Sequence, residues 1–260
     1  MSLNAYSGSF MNSSLLSEFS EHSARNPLSV HALTVSYNHK PVLWDIDYEC
    51  TSGKLIAIVG PNGAGKTTFI KAILGLTPIT SGIVEFWGSS LEVSRSRISY
   101  VPQRESVDWD FPISAVEVVM MGLTNHSNWF GGNKRKLISE ATNYLDMLGL
   151  ADKADSHINA LSGGQQQRVF LARAIAQNAD LYFMDEPFAA VDALTEKSIL
   201  DLLSDLRSRG KTIVCVHHDL ITVRKYYDEI VLLNTRLIDS GKVEEVMTDE
   251  NLKNTYGARL

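Results

Sequence analysis

Residues 60–67 read GPNGAGKT, and the segments on either side of them constrain the fold more than anything else in the chain. Upstream, KLIAIV (54–59) is a short continuous apolar run, the pattern of a strand buried on both faces. Downstream, TTFIKAILGL (67–76) repeats its apolar residues at helical spacing. A glycine-rich turn between such a strand and such a helix, closing on Gly-Lys-Thr, is a phosphate loop. Gly60, Gly63 and Gly65 let backbone N–H groups crowd an anion with no Cβ in the way. Pro61, Asn62 and Ala64 complete the turn, and the helix points its positive end at the same anion. Lys66 is placed to reach the β- and γ-phosphates of a nucleotide such as ATP. The Thr67 hydroxyl is placed to ligate Mg²⁺, with Thr68 next to it.

A second run, LYFMDEP (181–187), sets four apolar residues before two carboxylates. It suits a central parallel strand that delivers Asp185 and Glu186 to the sheet edge where ligands of α/β folds bind. Asp185 is the expected holder of Mg²⁺ through water. Glu186, one residue on, is the expected general base for an attacking water.

The rest of the chain alternates in the same way. LSVHALTVSY and PVLWDIDYEC alternate apolar and polar residues, as half-exposed antiparallel strands do. GIVEFWG and RISYVPQ read as further strands. From about 105 to 160, Val116, Val119 and Met120, then Ala141, Leu145 and Leu148, recur at three and four residues, which predicts an inserted helical subdomain. After 161 come a helix (163–177), the strand LYFMD, a helix near 195–209, the strand TIVCV and a helix near 220–226. EIVLLNTRLIDSGKV then predicts a hairpin around Asn234 and Thr235. Strands alternating with helices imply a mainly parallel sheet with helices on both faces.

Residues 161–168 read LSGGQQQR, glycine-rich but with no lysine to meet a phosphate. Ser162 and Gln165 have the S-x-x-Q spacing of a capping box at the start of the helix 163–177. Free N–H groups, a positive dipole end and the side-chain-free Gly163 and Gly164 suit a γ-phosphate. The loop at 60–67 already surrounds one nucleotide, so this second loop is explained as serving a nucleotide held by a neighbouring subunit.

Here the chain resembles the ATP-binding-cassette (ABC) ATPases, whose signature motif looks like LSGGQ at 161–165 and whose motifs follow in the same order over about residues 28–245. The resemblance implies an α/β fold: a P-loop nucleotide-binding domain with a RecA-like core, an N-terminal antiparallel β subdomain and an inserted α-helical subdomain at about 105–165. It also implies a head-to-tail homodimer in which each ATP lies between one phosphate loop and the partner's signature loop. Tyr37, 23 residues before Gly60, matches the aromatic that stacks on adenine. Gln103 matches the glutamine that touches Mg²⁺ or the attacking water where the membrane subunit docks. In VHHD the family's γ-phosphate-sensing histidine precedes the aspartate, which assigns His218; His217 occupies a position that is often threonine. Asp192 matches the loop that crosses the dimer interface, and Ala189 stands where members often carry serine.

QRESVDWDFP, continuing FPISAVEVVMMG, and PFAAVDALTE look similar to the cassettes of manganese-, zinc- and iron-type importers. Glu105, Asp108 and Asp110 are adjacent loop acids without His or Cys and would ligate a metal poorly. The resemblance therefore implies the ATPase subunit of a metal-cation importer, peripheral on the cytoplasmic face of the inner membrane. Its implied partners are transmembrane permease subunits and, through them, an extracytoplasmic metal-binding protein. Importers of a siderophore, haem or another solute, and a soluble non-transport ABC ATPase, are the alternatives.

Composition trims the field. A sequence-independent grip on nucleic acid needs a basic surface, and a net charge of −6 argues against one, so no nucleic-acid partner is expected. No apolar run approaches the roughly 18–20 residues that span a bilayer, so contact with a membrane would go through a partner. Residues 1–27 hold eight serines and neither a basic start nor an apolar core, which argues against a secretory signal and for a flexible extension. Residues 246–260 read only as a C-terminal tail. Cys50 and Cys215 sit in strand-like runs without CxxC spacing and are expected as buried, reduced thiols.

Overall fold

The computed structural model describes residues 26–38, 40–123 and 134–257, so most of the N-terminal extension lies outside the described residues. Strands β1 (Leu28–Tyr37), β2 (Lys40–Cys50) and β4 (Ser81–Glu85) form an antiparallel sheet in the order β2-β1-β4. Strands β3 (Leu55–Val59), β5 (Ile98–Val101), β6 (Leu181–Met184), β7 (Thr212–Val216), β8 (Glu229–Asn234) and β9 (Arg236–Lys242) form a second sheet in the order β5-β6-β7-β3-β8-β9. All pairings in it are parallel except β8 with β9, which makes the sheet mixed.

The continuous apolar run of β3 is explained by what covers it. Leu55, Ala57 and Val59 face one hydrophobic cluster, and Ile56 and Ile58 face the other, all with no exposed surface. The first cluster gathers helices α3 (Ala115–Leu123), α4 (Lys134–Asp146), α5 (Gly163–Ala176), α6 (Ala193–Ser208) and α7 (Leu220–Tyr226). On the opposite face lie helix α1 (Lys66–Ile73), the short helix α2 (Leu91–Ser94), which packs Leu91 against it, and the antiparallel sheet. The expected helical positions Val116, Val119, Met120, Ala141, Leu145 and Leu148 all lie in the first cluster. Cys50 and Cys215 are buried and free, and burial pushes both thiols up to about 12.

Three elements differ from the sequence reading. Helix α1 stops at Ile73, because Gly75 turns the chain at φ +67 and leaves Leu76 exposed. The strand expected over 82–88 ends at Glu85, since Phe86 and Ser89 hydrogen-bond each other around a tight turn with Trp87 and Gly88 at positive φ. Beyond a short helix, α8 (Val243–Val246), residues Asp249–Tyr256 form helix α9, capped by the Thr248 hydroxyl. It docks Leu252 and Thr255 inward, and its Asn251 amide donates to Asp239 and to the Val246 carbonyl.

Candidate functional site

The loop 60–67 is wedged between two backbones. A Cβ on Gly60 would stand 2.0 Å from the Leu233 carbonyl oxygen, and one on Gly65 would stand 2.6 Å from a Leu43 methyl. Thr235, at the β8–β9 turn, donates its N–H to Ala64 O (2.9 Å), and Trp44 N–H donates to Thr235 O (2.8 Å). These glycines therefore serve close packing as much as anion access; Gly63 (φ +81) is the one with open space beside it. Lys66 is 6% exposed, and its ammonium donates to the Gly60 and Pro61 carbonyls at 2.8 and 3.0 Å. Burial pulls its pKa below the usual lysine range, against the pull of the Glu186 and Asp185 carboxylates.

Thr67 Oγ1 donates to Asp185 Oδ1 at 3.1 Å, joining the start of α1 to the end of β6. Asp185 has no exposed surface, and its Oδ2 is buried with no hydrogen-bond partner. Burial raises its pKa, with the Thr67 hydrogen bond opposing. A buried carboxylate oxygen without a partner, next to a hydroxyl and a phosphate loop, fits a divalent cation. Among the described residues no group of three His, Cys, Asp or Glu could hold a metal, so such a cation would complete its shell with phosphate and water oxygens.

Glu186 is one residue further and lies in the left-handed region, φ +53, which turns its carboxylate out of the strand direction. Gln103 Nε2 donates to Oε2 at 3.2 Å, and His218 Nε2 meets Oε1 at 2.7 Å. Sequence reasoning could not foresee that His218 and Gln103 close on the same carboxylate. His217 points elsewhere: its Nδ1 accepts the Asp219 N–H at 3.0 Å, and its ring packs between Phe188 and Tyr227. Burial lowers its pKa to about 4.

The remaining residues stand on other elements. Ser162 caps α5 in a two-way capping box: Ser162 Oγ accepts the Gln165 N–H (3.4 Å) and Gln165 Oε1 accepts the Ser162 N–H (2.9 Å). A Cβ on Gly163 would meet the Arg104 guanidinium at 2.9 Å, and one on Gly164 would meet Ala190 O at 2.6 Å. Both glycines thus make room for neighbours in the same chain, Gly164 for backbone and Gly163 for a side chain, a reason that the motif alone did not give. Asp192 caps α6, its carboxylate accepting from the Thr195 N–H and hydroxyl at 2.9 and 2.8 Å. Tyr37 ends β1, half exposed, two residues past Val35, the partner of the Leu43 that packs on Gly65.

A family model described as ABC transporter matches residues 43–189. The manganese transport system ATP-binding protein MntB of Bacillus subtilis (strain 168) is 53% identical over 234 residues, covering 90% of this chain and 94% of that protein. The zinc transport system ATP-binding protein TroB of Treponema pallidum (strain Nichols) is 48% identical over 233 residues, covering 90% and 88%. Among solved structures, a dimeric ATP-binding cassette in a post-hydrolysis state with ADP and Pi superposes with a TM-score of 0.74 at 27% identity, covering 83% of this chain and 98% of that one. The ATP-binding subunit of an ABC transporter gives a TM-score of 0.74 at 25% identity, covering 89% and 95%.

Proposed function

The chain belongs to the ABC transporter family as an ATP-binding, ATP-hydrolysing subunit, and from that premise we propose that it powers a membrane importer of metal cations: manganese, zinc or iron. The observation that carries the hydrolytic reading is Glu186, held from two sides by Gln103 and His218 one residue beyond the Asp185–Thr67 pair. A water at Glu186 loses its proton to the carboxylate as its oxygen attacks the γ-phosphorus of ATP. The bridging oxygen leaves with ADP. Lys66, released from the Gly60 and Pro61 carbonyls, meets the β- and γ-phosphates. Thr67, Asp185 and the Gln103 side-chain oxygen would hold Mg²⁺, which when bound neutralises charge on those phosphates.

Two copies pair head to tail, so that the phosphate loop of one and Ser162, Gly163 and Gly164 of the other enclose each ATP. Asp192 and its loop lie at that seam, and Tyr37 stacks on the adenine. ATP contributes to movement only through its tighter binding to the closed pair. The membrane subunits sit over the helical subdomain. A mainly apolar cavity of about 530 Å³ there, lined by Phe111, Ile113, Met120 and Leu137 together with Glu117 and Lys134, supports that placement. Among the described residues no helix is long and apolar enough to cross a membrane. In this reading the subunit works from the cytoplasmic face through its partners. An extracytoplasmic metal-binding protein delivers the cargo to those partners.

The test is a pull-down of tagged Glu186→Gln protein with Mg-ATP from detergent-solubilised membranes of its own cell. Recovery of a polytopic membrane protein, whose deletion abolishes manganese, zinc or iron uptake, is the expected result. Recovery of soluble proteins alone, with extraction shown to work, overturns the importer reading.

A further inference from the structure

The segment QRESVDWDFP, a poor metal site, grips helix α5 at two successive turns. Arg104 follows Gln103 directly. Its Nε donates to Gln166 Oε1 at 3.1 Å, and its guanidinium lies against Gly163, in the space that a Cβ would take. Gln166 is 3% exposed and is itself fixed, its amide donating to the Ile158 carbonyl at 3.0 Å. One turn along, the Trp109 ring stands edge-on to Phe170 at 5.0 Å, while its Nε1 donates back to Arg104 O at 2.9 Å. Gly163, Gln166 and Phe170 are spaced three and four apart and so share one face of α5. Ser106 closes the turn by donating to Gln103 O at 2.7 Å.

This arrangement joins two loops with different customers. Gln103 serves the chain's own ATP through Glu186, whereas Ser162 and Gly163, at the start of α5, are offered to the ATP of the second copy. We propose that Arg104 is a positioning residue that ties the Gln103 loop of one ATP site to the signature loop which the same chain presents to the other site. The inference rests on the head-to-tail reading above. Arg104 suits the task because its guanidinium rests against a glycine while its Nε–H reaches a buried amide; a lysine has no planar fork with which to do both. When Gln103 shifts with the state of its own nucleotide, the side chain of the next residue carries that shift to the start of α5. The link is a contiguous chain of hydrogen bonds and packing, the kind of network through which coupling passes between sites.

A mixed pair tests it. One subunit carries Ser162→Arg and the other Lys66→Ala, so a single competent site remains: the phosphate loop of the first with the signature loop of the second. Arg104→Ala is then placed in either subunit, and ATP hydrolysis is measured with the KM and the melting temperature. We expect Arg104→Ala in the signature donor to lower kcat about tenfold with KM and melting temperature little changed. Arg104→Lys in the same subunit is expected to do the same, and it carries the test if the alanine variant does not fold. A loss confined to the phosphate-loop donor, or no loss in either position, overturns the proposal. A mixed pair without hydrolysis before Arg104 is touched overturns the shared-site reading itself, and this inference with it.

Discussion

His218 Nε2 meets Glu186 Oε1 at 2.7 Å, while the adjacent His217 turns its ring into the core between Phe188 and Tyr227. Two identical side chains in sequence thus have separate surroundings, one against the Glu186 carboxylate and one in the scaffold beneath it. Glu186 can face both His218 and Gln103 because its backbone leaves the strand at φ +53.

Glu186→Gln removes the proton acceptor and keeps the side chain's length. The expected loss in hydrolysis is about 10²–10⁴-fold, the range for removing a general base. ATP binding should persist, because Lys66, Thr67 and Asp185 are untouched. Rapid-quench turnover and equilibrium ATP binding on one preparation check this; a turnover rate within a few-fold of the parent removes Glu186 as base.

Asp185→Asn should divide stability from function. The carboxylate is wholly buried with Oδ2 unpartnered, and its pKa is raised by that burial. A raised folded-state pKa means that the ionised form is disfavoured in the fold, so the penalty is absent below the ordinary Asp value of 3.8 and grows as pH rises through the folded value. At pH 7 the nucleotide-free variant should be more stable than the parent by about 1–2 kcal/mol. Mg-ATP should raise the parent's melting temperature and the variant's much less, an effect that chelating Mg²⁺ with EDTA should cancel in the parent. A variant that melts lower and responds fully to Mg-ATP would take Asp185 out of the metal site.

The asymmetry between these residues also marks how far sequence alone reaches. The phosphate loop, the capping box of Ser162 with Gln165, and the Asp185–Glu186 pair were legible because each is a local pattern whose spacing carries its own physics. Alternating burial along β3 was legible as a continuous apolar run. What lay beyond reach depends on partners distant in the chain. The pressure of Leu233 on Gly60, of Arg104 on Gly163 and of Ala190 on Gly164 leaves no mark in the motifs themselves. Glycines read as room for an anion prove also to be room for backbone and guanidinium. Helix α9 is not legible because its mostly polar composition carries only a weak apolar face, and its anchoring comes from the Asn251 amide on Asp239 and from the Thr255 carbonyl, which accepts from Asn234.

His217→Asn should flatten the acid limb of the stability profile. Burial lowers the histidine to about 4 from an ordinary 6.5, although Asp219 pulls it upward and Glu196 stands 3.8 Å from Nε2; His218 adds to the lowering. With the folded value depressed, neutral His217 supports the fold fully above pH 6.5, and its contribution is lost as pH falls from 6.5 toward 4. By pH 5 that loss is about 2 kcal/mol. An asparagine in the same place can still accept the Asp219 N–H but does not titrate. Urea unfolding at pH 7.5 and pH 5 should therefore show the parent losing about 2 kcal/mol more than the variant; equal losses would mean that His217 is not held neutral by burial.

Gly163→Ala and Gly164→Ala should part company although the glycines are neighbours in one motif. A Cβ on Gly163 meets Arg104, a long side chain that can swing aside, at 2.9 Å. A Cβ on Gly164 meets the Ala190 carbonyl at 2.6 Å, on a backbone fixed by the Phe188–Val191 turn and by Asp192 capping α6. The first variant should fold with a melting temperature near the parent's and lose the Arg104–Gln166 hydrogen bond. The second has to push α5 away from the loop that follows Glu186, at a cost of about 1–3 kcal/mol, the range for overpacking. Its hydrolysis should fall further than that of Gly163→Ala. Melting curves and ATPase rates for the two variants side by side decide the matter: equal effects would mean that Ala190 gives way as readily as Arg104 and that the contact at Gly164 does not fix the two loops.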